Sequence, residues 1–435
     1  MKPKLLLLHG ALVLAACNPT VSSTSTAGEP TTSTESGPTT TASGSSTSSA
    51  TTLPGGTEEL PAELRAEIAR LIGVTEDLRG HTFTTAPTIT VLSSEELAQR
   101  VRQQVEEDYE DVDVDEALYK LLGLVEPDFD LRSTISDLYG EQVAGFYDGE
   151  TGELVVPARE DDFSTLQQVT LVHELTHALT DQALDFHSYF TGLHDAERFD
   201  ESSAYQALIE GDASMTEILF VQQMSPAEQQ EFLTEAFQEV DGTVYAGVPQ
   251  FIQAGLIFPY EAGFAFVSEL FESQGFAAVD EAYSNPPRST EQILDPRKYL
   301  EDQPVAVTVP ENPLEGYELA YGSTWGELGF RLMFDQEIGG DDAATEGWGG
   351  DDYAIYFNGT EAAMILTYVG DLESDADELS SALGEFIGEA MNVEAPTVDG
   401  SGSVFLGEDY SFLSQVGDRV AWVVAGDPGV GVGRH

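Results

Sequence analysis

From Leu60 the apolar residues recur at helical spacing. Leu60, Leu64, Ile68 and Leu71–Ile72 share one face and predict a short helix within residues 58–80. Thr82 to Leu92 has the alternation of a strand, and Ser93-Ser94-Glu95-Glu96 opens a helix that runs into the 110s. A second amphipathic helix is expected near Glu116 to Leu124. Phe146–Tyr147 and Leu154-Val155-Val156 are apolar runs separated by turn residues, which predicts a hairpin. A longer stripe starts at Leu166 and continues through Val169, Val172, Leu175 and Ala178–Leu179, burying one side of a helix. Ser164 and Gln167 stand at its start in capping-box spacing. Beyond residue 210 the pattern stays largely helical to about Ser273. Phe258-Pro259-Tyr260 is expected to break it, and Pro286 to Pro296 to form a polar loop. The last hundred residues mix helices (Thr324–Phe334, Ala376–Ala390) with strands (Tyr353–Phe357, Ala363–Tyr368, Arg419–Val424). Gly347-Trp348-Gly349-Gly350-Asp351 reads as a tight glycine turn whose tryptophan packs. The fold class is α+β: mostly helical, with a small sheet and a mixed C-terminal part.

Ahead of this pattern lies a different kind of sequence. Met1-Lys2-Pro3-Lys4 is basic, and Leu5 to Ala16 is apolar but too short to span a bilayer as a permanent helix. It ends Leu14-Ala15-Ala16-Cys17, small residues before the one cysteine of the chain. This matches a bacterial lipobox, in which the cysteine receives lipid and becomes the new N-terminus. A lone cysteine excludes an intramolecular disulfide. Residues 18–57 are almost entirely Ser, Thr, Gly, Pro and Ala and cannot bury enough apolar surface to fold, so they form a flexible tether. The organisation expected is a signal peptide (1–17), the tether (18–57) and a globular region (58–435). The last divides into an N-terminal lobe (58–165), a core (166–300) and a C-terminal α/β part (301–435).

The chemistry sits in the stripe's own helix. His173-Glu174-Leu175-Thr176-His177 reads H-E-x-x-H. Helix positions i and i+4 share a face, so both imidazoles can reach one metal ion, and the glutamate lies ~100° round the helix, near a metal-activated water. With seven histidines in the chain, on the order of 0.01 chance matches are expected, so coincidence starts far behind. A catalytic zinc ion needs a third protein ligand. H-E-x-x-H-x-x-G-x-x-H is excluded, because Thr180 and Ala183 occupy the Gly and His positions. His187 and His194 read as polar loop residues. Glu210 is the leading candidate, since Ala204, Ala207–Leu208, Gly211 and Met215 mark a small-residue helix able to approach the histidine helix closely. Glu197 and Glu201 are the alternatives. Asp181 and Asp212 are candidates to orient the imidazoles from behind. Tyr260, Tyr299 and Tyr353 are conceivable oxyanion donors, with none assigned.

The segment from His173 to Thr180, HELTHALT, resembles the zinc helix of thermolysin-type gluzincins. That resemblance implies a zincin-like fold, Zn²⁺ held by His173, His177 and Glu210, and Glu174 as general base. It departs from that pattern at Ser214, where thermolysin-type enzymes carry an Asp four residues after the ligand glutamate. A closer resemblance, over most of the chain beyond the tether, is to little-characterised prokaryotic secreted or lipid-anchored metallopeptidases. Val143–Asp148, HELTHALTDQ, ALIEGDAS, Phe258-Pro259-Tyr260, Pro286–Gln292 and Gly347–Asp351 carry it. That group commonly has histidine where this chain has Asp295.

Net charge is −61, from 78 acidic against 17 basic residues, spread along the chain. It excludes nucleic acid and anionic lipid as general partners and suits a saline medium. The function expected is a lipid-anchored extracytoplasmic zinc metallopeptidase acting on a peptide or protein substrate and meeting the membrane through its N-terminal lipid only. Two alternatives stay open: a surface binding or scaffold lipoprotein with a structural site, and a zinc hydrolase of other amides such as cell-wall crosslinks.

Overall fold

The computed structural model describes residues 9–12, 60–108, 111–157, 163–239, 247–309, 316–340, 342–391, 393, 396–398, 402–407 and 409–426. Cys17 and the tether 18–57 lie outside the described residues.

Two hydrophobic cores organise the chain. After β1 (His9–Leu12), the first is opened by α1 (Ala62–Arg79), whose Leu64, Ile68, Leu71 and Ile72 are buried as their spacing predicts. α1 stops at Gly80, where a φ of 87° turns the backbone out while its N–H still bonds the Glu76 carbonyl. β2 (Thr88–Leu92) is shorter than the alternation at 82–92 suggested. α2 (Ser94–Asp108) starts with Ser93 and Glu96 bonding each other's backbone N–H, as expected of that helix opening. After α3 (Val112–Leu121) and α4 (Leu131–Gln142) comes the predicted hairpin, β3 (Val143–Asp148) and β4 (Glu153–Pro157). The sheet order is β1-β3-β4-β2, with β2 parallel to β4 and the other pairs antiparallel. β1 falls inside the apolar segment read as a cleaved leader.

α5 (Thr165–Leu184) carries the H-E-x-x-H motif and begins with the capping box of Ser164 and Gln167. Its stripe was expected to bury one face. Instead, every residue from Val169 to Thr180 is buried, because α1, β3 and α7 (Phe199–Gln223) all pack around it. α6 (Phe186–Asp195) places His187 and His194 on a helix, where a loop was expected. α8 (Pro226–Glu239) follows α7.

α9 (Gln250–Gln274) corrects the expected break at Phe258-Pro259-Tyr260, since the helix runs through Pro259. Proline forfeits one backbone hydrogen bond, a cost of ~3 kcal/mol in a helix interior. Here the apolar packing of Phe258, Phe266 and Val267 on either side offsets it. α10 (Phe276–Ser284) and α11 (Thr290–Leu294) complete this half. α11 lies within the segment expected to be a polar loop, and its Thr290, Glu291 and Gln292 are buried.

The second core lies under a seven-stranded antiparallel sheet, in order β5 (Glu318–Ser323), β6 (Trp348–Phe357), β7 (Ala362–Gly370), β11 (Arg419–Ala425), β10 (Tyr410–Val416), β9 (Ser403–Leu406) and β8 (Thr397–Val398). α12 (Gly326–Glu337), the short α13 (Asp342–Thr345) and α14 (Glu373–Ala390) supply Phe330 and Phe334, Ala344, and Leu383 and Phe386 to it in turn. Trp348 packs as expected, its indole N–H donating to Asp351. The glycine segment around it opens β6 across a register shift and is not a free-standing turn. Val114, Leu118 and Leu121 of α3 join this second core, while α1 joins the first, so residues 58–165 serve both. The class is α+β.

Candidate metal centre

α5 and α7 together form the site. His173 Nε2 lies 3.1 Å and His177 Nε2 3.3 Å from Glu210 Oε2, with all three residues buried. Ligands at ~2.1 Å from a tetrahedral zinc ion sit ~3.4 Å apart, so these separations suit one shared ion. Glu210 Oε1 is buried with no hydrogen-bond partner, although a carboxylate oxygen out of water requires one. Two imidazole nitrogens and a carboxylate converging out of water could hold a metal ion, and zinc is one that accepts this donor set. Glu197 and Glu201, the alternatives for the third ligand, stand elsewhere. The Glu197 carbonyl accepts from Ser323, and the Glu201 carboxylate pairs with Arg198 and Arg288.

Electrostatics at the centre favour added positive charge. Glu174, Glu210 and Glu217 surround two imidazoles, and Glu174 and Glu210 are fully buried. Burial works against a cationic His173, yet its hydrogen bonds to Glu210 and Glu217 and the Glu174 charge prevail and push its pKa up to about 10. Burial, which would raise the Glu210 carboxyl, is likewise overcome by the two histidines, and they hold it well below the usual carboxylate range. A divalent cation is the natural complement of such a pocket. The other acidic group with ligand-like spacing among the described residues, Glu291, Asp302 and Asp371, already has its cation. Lys298 pairs with Glu291 and lies 3.8 and 3.7 Å from the other two.

The partners behind the imidazoles differ from those expected. Asp181 accepts from the Tyr147 hydroxyl at 2.8 Å and from the His187 backbone N–H, starting α6. Asp212 accepts from Arg79 and Tyr283. Those bonds go to partners other than the imidazoles of His173 and His177. Glu217 stands 3.1 Å from His173 Nδ1 and so fixes that ring from behind. The sequence held a signal for it. Seven residues are nearly two helical turns, so Glu217 and Glu210 lie on one face of α7 and grip the same imidazole from opposite sides.

The small residues of α7 do bring backbones close, but the helix they meet is α9 and not the histidine helix. A Cβ on Gly211 would overlap the Gly263 carbonyl, and one on Gly263 would overlap the carbonyl of Ala207. This contact sets Tyr260, one turn before Gly263, beside the site, its ring centroid 6.3 Å from that of His173. Tyr299 bonds the Asn285 carbonyl, and Tyr353 lies in the second core against Trp325. Asp295 bonds the Arg297 backbone and side chain at the start of a short 3-10 turn.

A family model described as a domain of unknown function, DUF8575, matches residues 317–432, the part built on the seven-stranded sheet. No curated protein matches the chain significantly. A solved structure from Chloroflexus aurantiacus, described as a candidate hydrolase with a novel fold, is 18% identical, covering 54% of this chain and 88% of its own, with a TM-score of 0.35. A likeness that low does not establish a shared fold.

Proposed function

We propose that the protein is a zinc-dependent metallopeptidase of gluzincin type, anchored outside the cytoplasm by lipid on Cys17. The observation that carries the reading is the burial of Glu174 beside two imidazoles whose Nε2 atoms converge on Glu210. A structural site would need no base within its shell. Bound there, zinc would acidify a water and polarise the scissile carbonyl. Glu174 accepts the proton of the attacking water and returns it to the leaving amine. Glu210 and the imidazoles hold the site's geometry, while Glu217 keeps the His173 ring turned inward. Of Tyr260, Tyr299 and Tyr353, Tyr260 has its ring beside His173 and is the one assigned to donate to the developing oxyanion. Cleavage before Cys17 would remove β1 and leave β3, which packs on α5, as a sheet edge open to an extended peptide.

Glu174→Gln tests the central claim. It keeps shape and hydrogen-bonding reach but removes basicity. Zinc content and circular dichroism should be unchanged, while cleavage of a mixed peptide library falls roughly 10²–10⁴-fold. A zinc-loaded wild type that cleaves neither peptides nor cell-wall amides would turn the reading to a binding lipoprotein. Cleavage of cell-wall amides alone would move the substrate class. Cys17→Ser should lose the membrane partition of the wild type, and a wild type that is already soluble and unmodified would remove the anchor.

A further inference from the structure

Arg79, the last residue of α1, is the one Lys or Arg among the described residues that is buried. Its Nε donates to Asp212 Oδ1 at 2.7 Å and its Nη2 to Asp280 Oδ1 at 2.6 Å. The guanidinium carbon lies 4.5 Å from the centre of the Phe276 ring, and Tyr283 donates to the other Asp212 oxygen at 3.0 Å. Nη1 is buried with no hydrogen-bond partner. Stability does not explain such an arrangement, because apolar residues of similar volume commonly replace a buried ion pair at no loss.

What the pair does supply is direction. Asp212 is two residues after Glu210, so on α7 it points roughly 200° away, to the side opposite the metal centre. The α7–α9 contact on the flank is backbone against backbone at Gly211, Gly263 and Ala207. At that crossing neither Gly211 nor Gly263 has a side chain of its own to key the rotation of α7 about its axis. Atoms at the helix perimeter, ~5–6 Å from the axis, move ~0.2 Å for each ~2° of rotation, and ~0.2 Å is the tolerance of a metal–ligand distance. A charged, hydrogen-bonded tie on the far side of α7 is placed to oppose that rotation.

We propose that Arg79 is a positioning residue for the metal carboxylate. Through Asp212 it locks the rotation of α7 so that Glu210 and Glu217 meet the imidazoles. The proposal rests on the metal-site reading above and makes α1 part of the working enzyme and not a removable pro-segment.

The test uses the mature full chain, stripped of metal and titrated with zinc against a chromophoric chelator, and with Co²⁺ read by its visible spectrum. Arg79→Met/Asp212→Leu replaces the fully buried pair with apolar residues, and the half-buried Asp280 keeps His81 as its partner. Its circular dichroism should match wild type while zinc affinity falls roughly 10–100-fold, the usual cost of losing a supporting partner behind a metal ligand. Arg79→Lys keeps the charge but loses the forked geometry. It covers the case in which the double variant does not fold, and its Co²⁺ spectrum should change. Packing alone would lower the melting temperature and leave both readouts untouched. Wild-type zinc affinity in the folded double variant, or a wild-type Co²⁺ spectrum in Arg79→Lys, overturns the proposal and leaves the metal site standing. A wild type that binds neither ion removes both.

Discussion

The core around α5 and α7 buries His173, Glu174, His177, Glu210, Asp212 and Arg79, whereas the core under the seven-stranded sheet is filled by Trp348, Tyr368, Phe386 and Trp422. Both are buried, but they solve different problems. In the second, apolar area removed from water supplies the stability, at ~25 cal/mol per Å², and the one polar atom of Trp422 is satisfied by Ser411. In the first, charged groups occupy volume that apolar side chains could fill, and each must be paired or await a cation. The contrast separates what holds this protein together from what it acts with, and it can be attacked from either side.

The largest effects should come from exchanging roles. Glu210→Ala should take zinc from near-equimolar to background by elemental analysis, yet leave the tryptophan environment of the sheet half unchanged in near-UV circular dichroism. Trp422→Ala should cost ~3–5 kcal/mol of stability in urea unfolding, the usual penalty for emptying a buried aromatic site. The fraction that stays folded should bind zinc with wild-type affinity. Weakened zinc binding in Trp422→Ala would mean that the two cores are one energetic unit.

Glu217→Gln sharpens the division within the first core. Glutamine keeps a hydrogen bond to His173 but not the charge, so zinc affinity should fall roughly 10–100-fold with little change in melting temperature. Unaltered affinity would show that Glu217 serves packing only.

The smallest effect concerns the junction of the halves. Asp200 at the start of α7 accepts from Thr290, and Asp351 of β6 accepts from the backbone at the start of α12 and from Trp348. Burial, the larger cause in each, raises Asp200 to about 7 and Asp351 to about 6. A carboxyl raised in the folded state keeps a proton that the unfolded chain has released. Stability therefore falls as pH rises through the window between the ordinary carboxylate range and about 7. The zinc-loaded protein should melt a few degrees lower at pH 8 than at pH 6, and Asp200→Asn should flatten that slope. A rise toward pH 8 would contradict it.

How much of this was legible in the sequence follows from the range of the forces. His173, Glu174, His177, the capping box at Ser164 and the sheet-half strands were readable, because helix and strand periodicity are local. Glu210 was readable from its small-residue surroundings, although the neighbour those residues touch is α9. Proline arithmetic alone would break α9, and only packing on both sides of Pro259 keeps it whole. Asp212 and Asp181 look like Glu217 in sequence. What separates them is Arg79 arriving from 133 residues away and Tyr147 from another strand, contacts that no local pattern encodes.

The backbone crossing at Gly211 and Gly263 also has a consequence for natural variation. A hydrogen atom is the largest substituent either position tolerates, so the mildest substitution, one methyl, must wedge two helices apart. One of them carries the metal carboxylate and the other the tyrosine. A survey of harmful changes guided by acids and imidazoles would pass over both glycines, yet alanine at either should weaken the proposed metal site while leaving every reactive group in the chain intact.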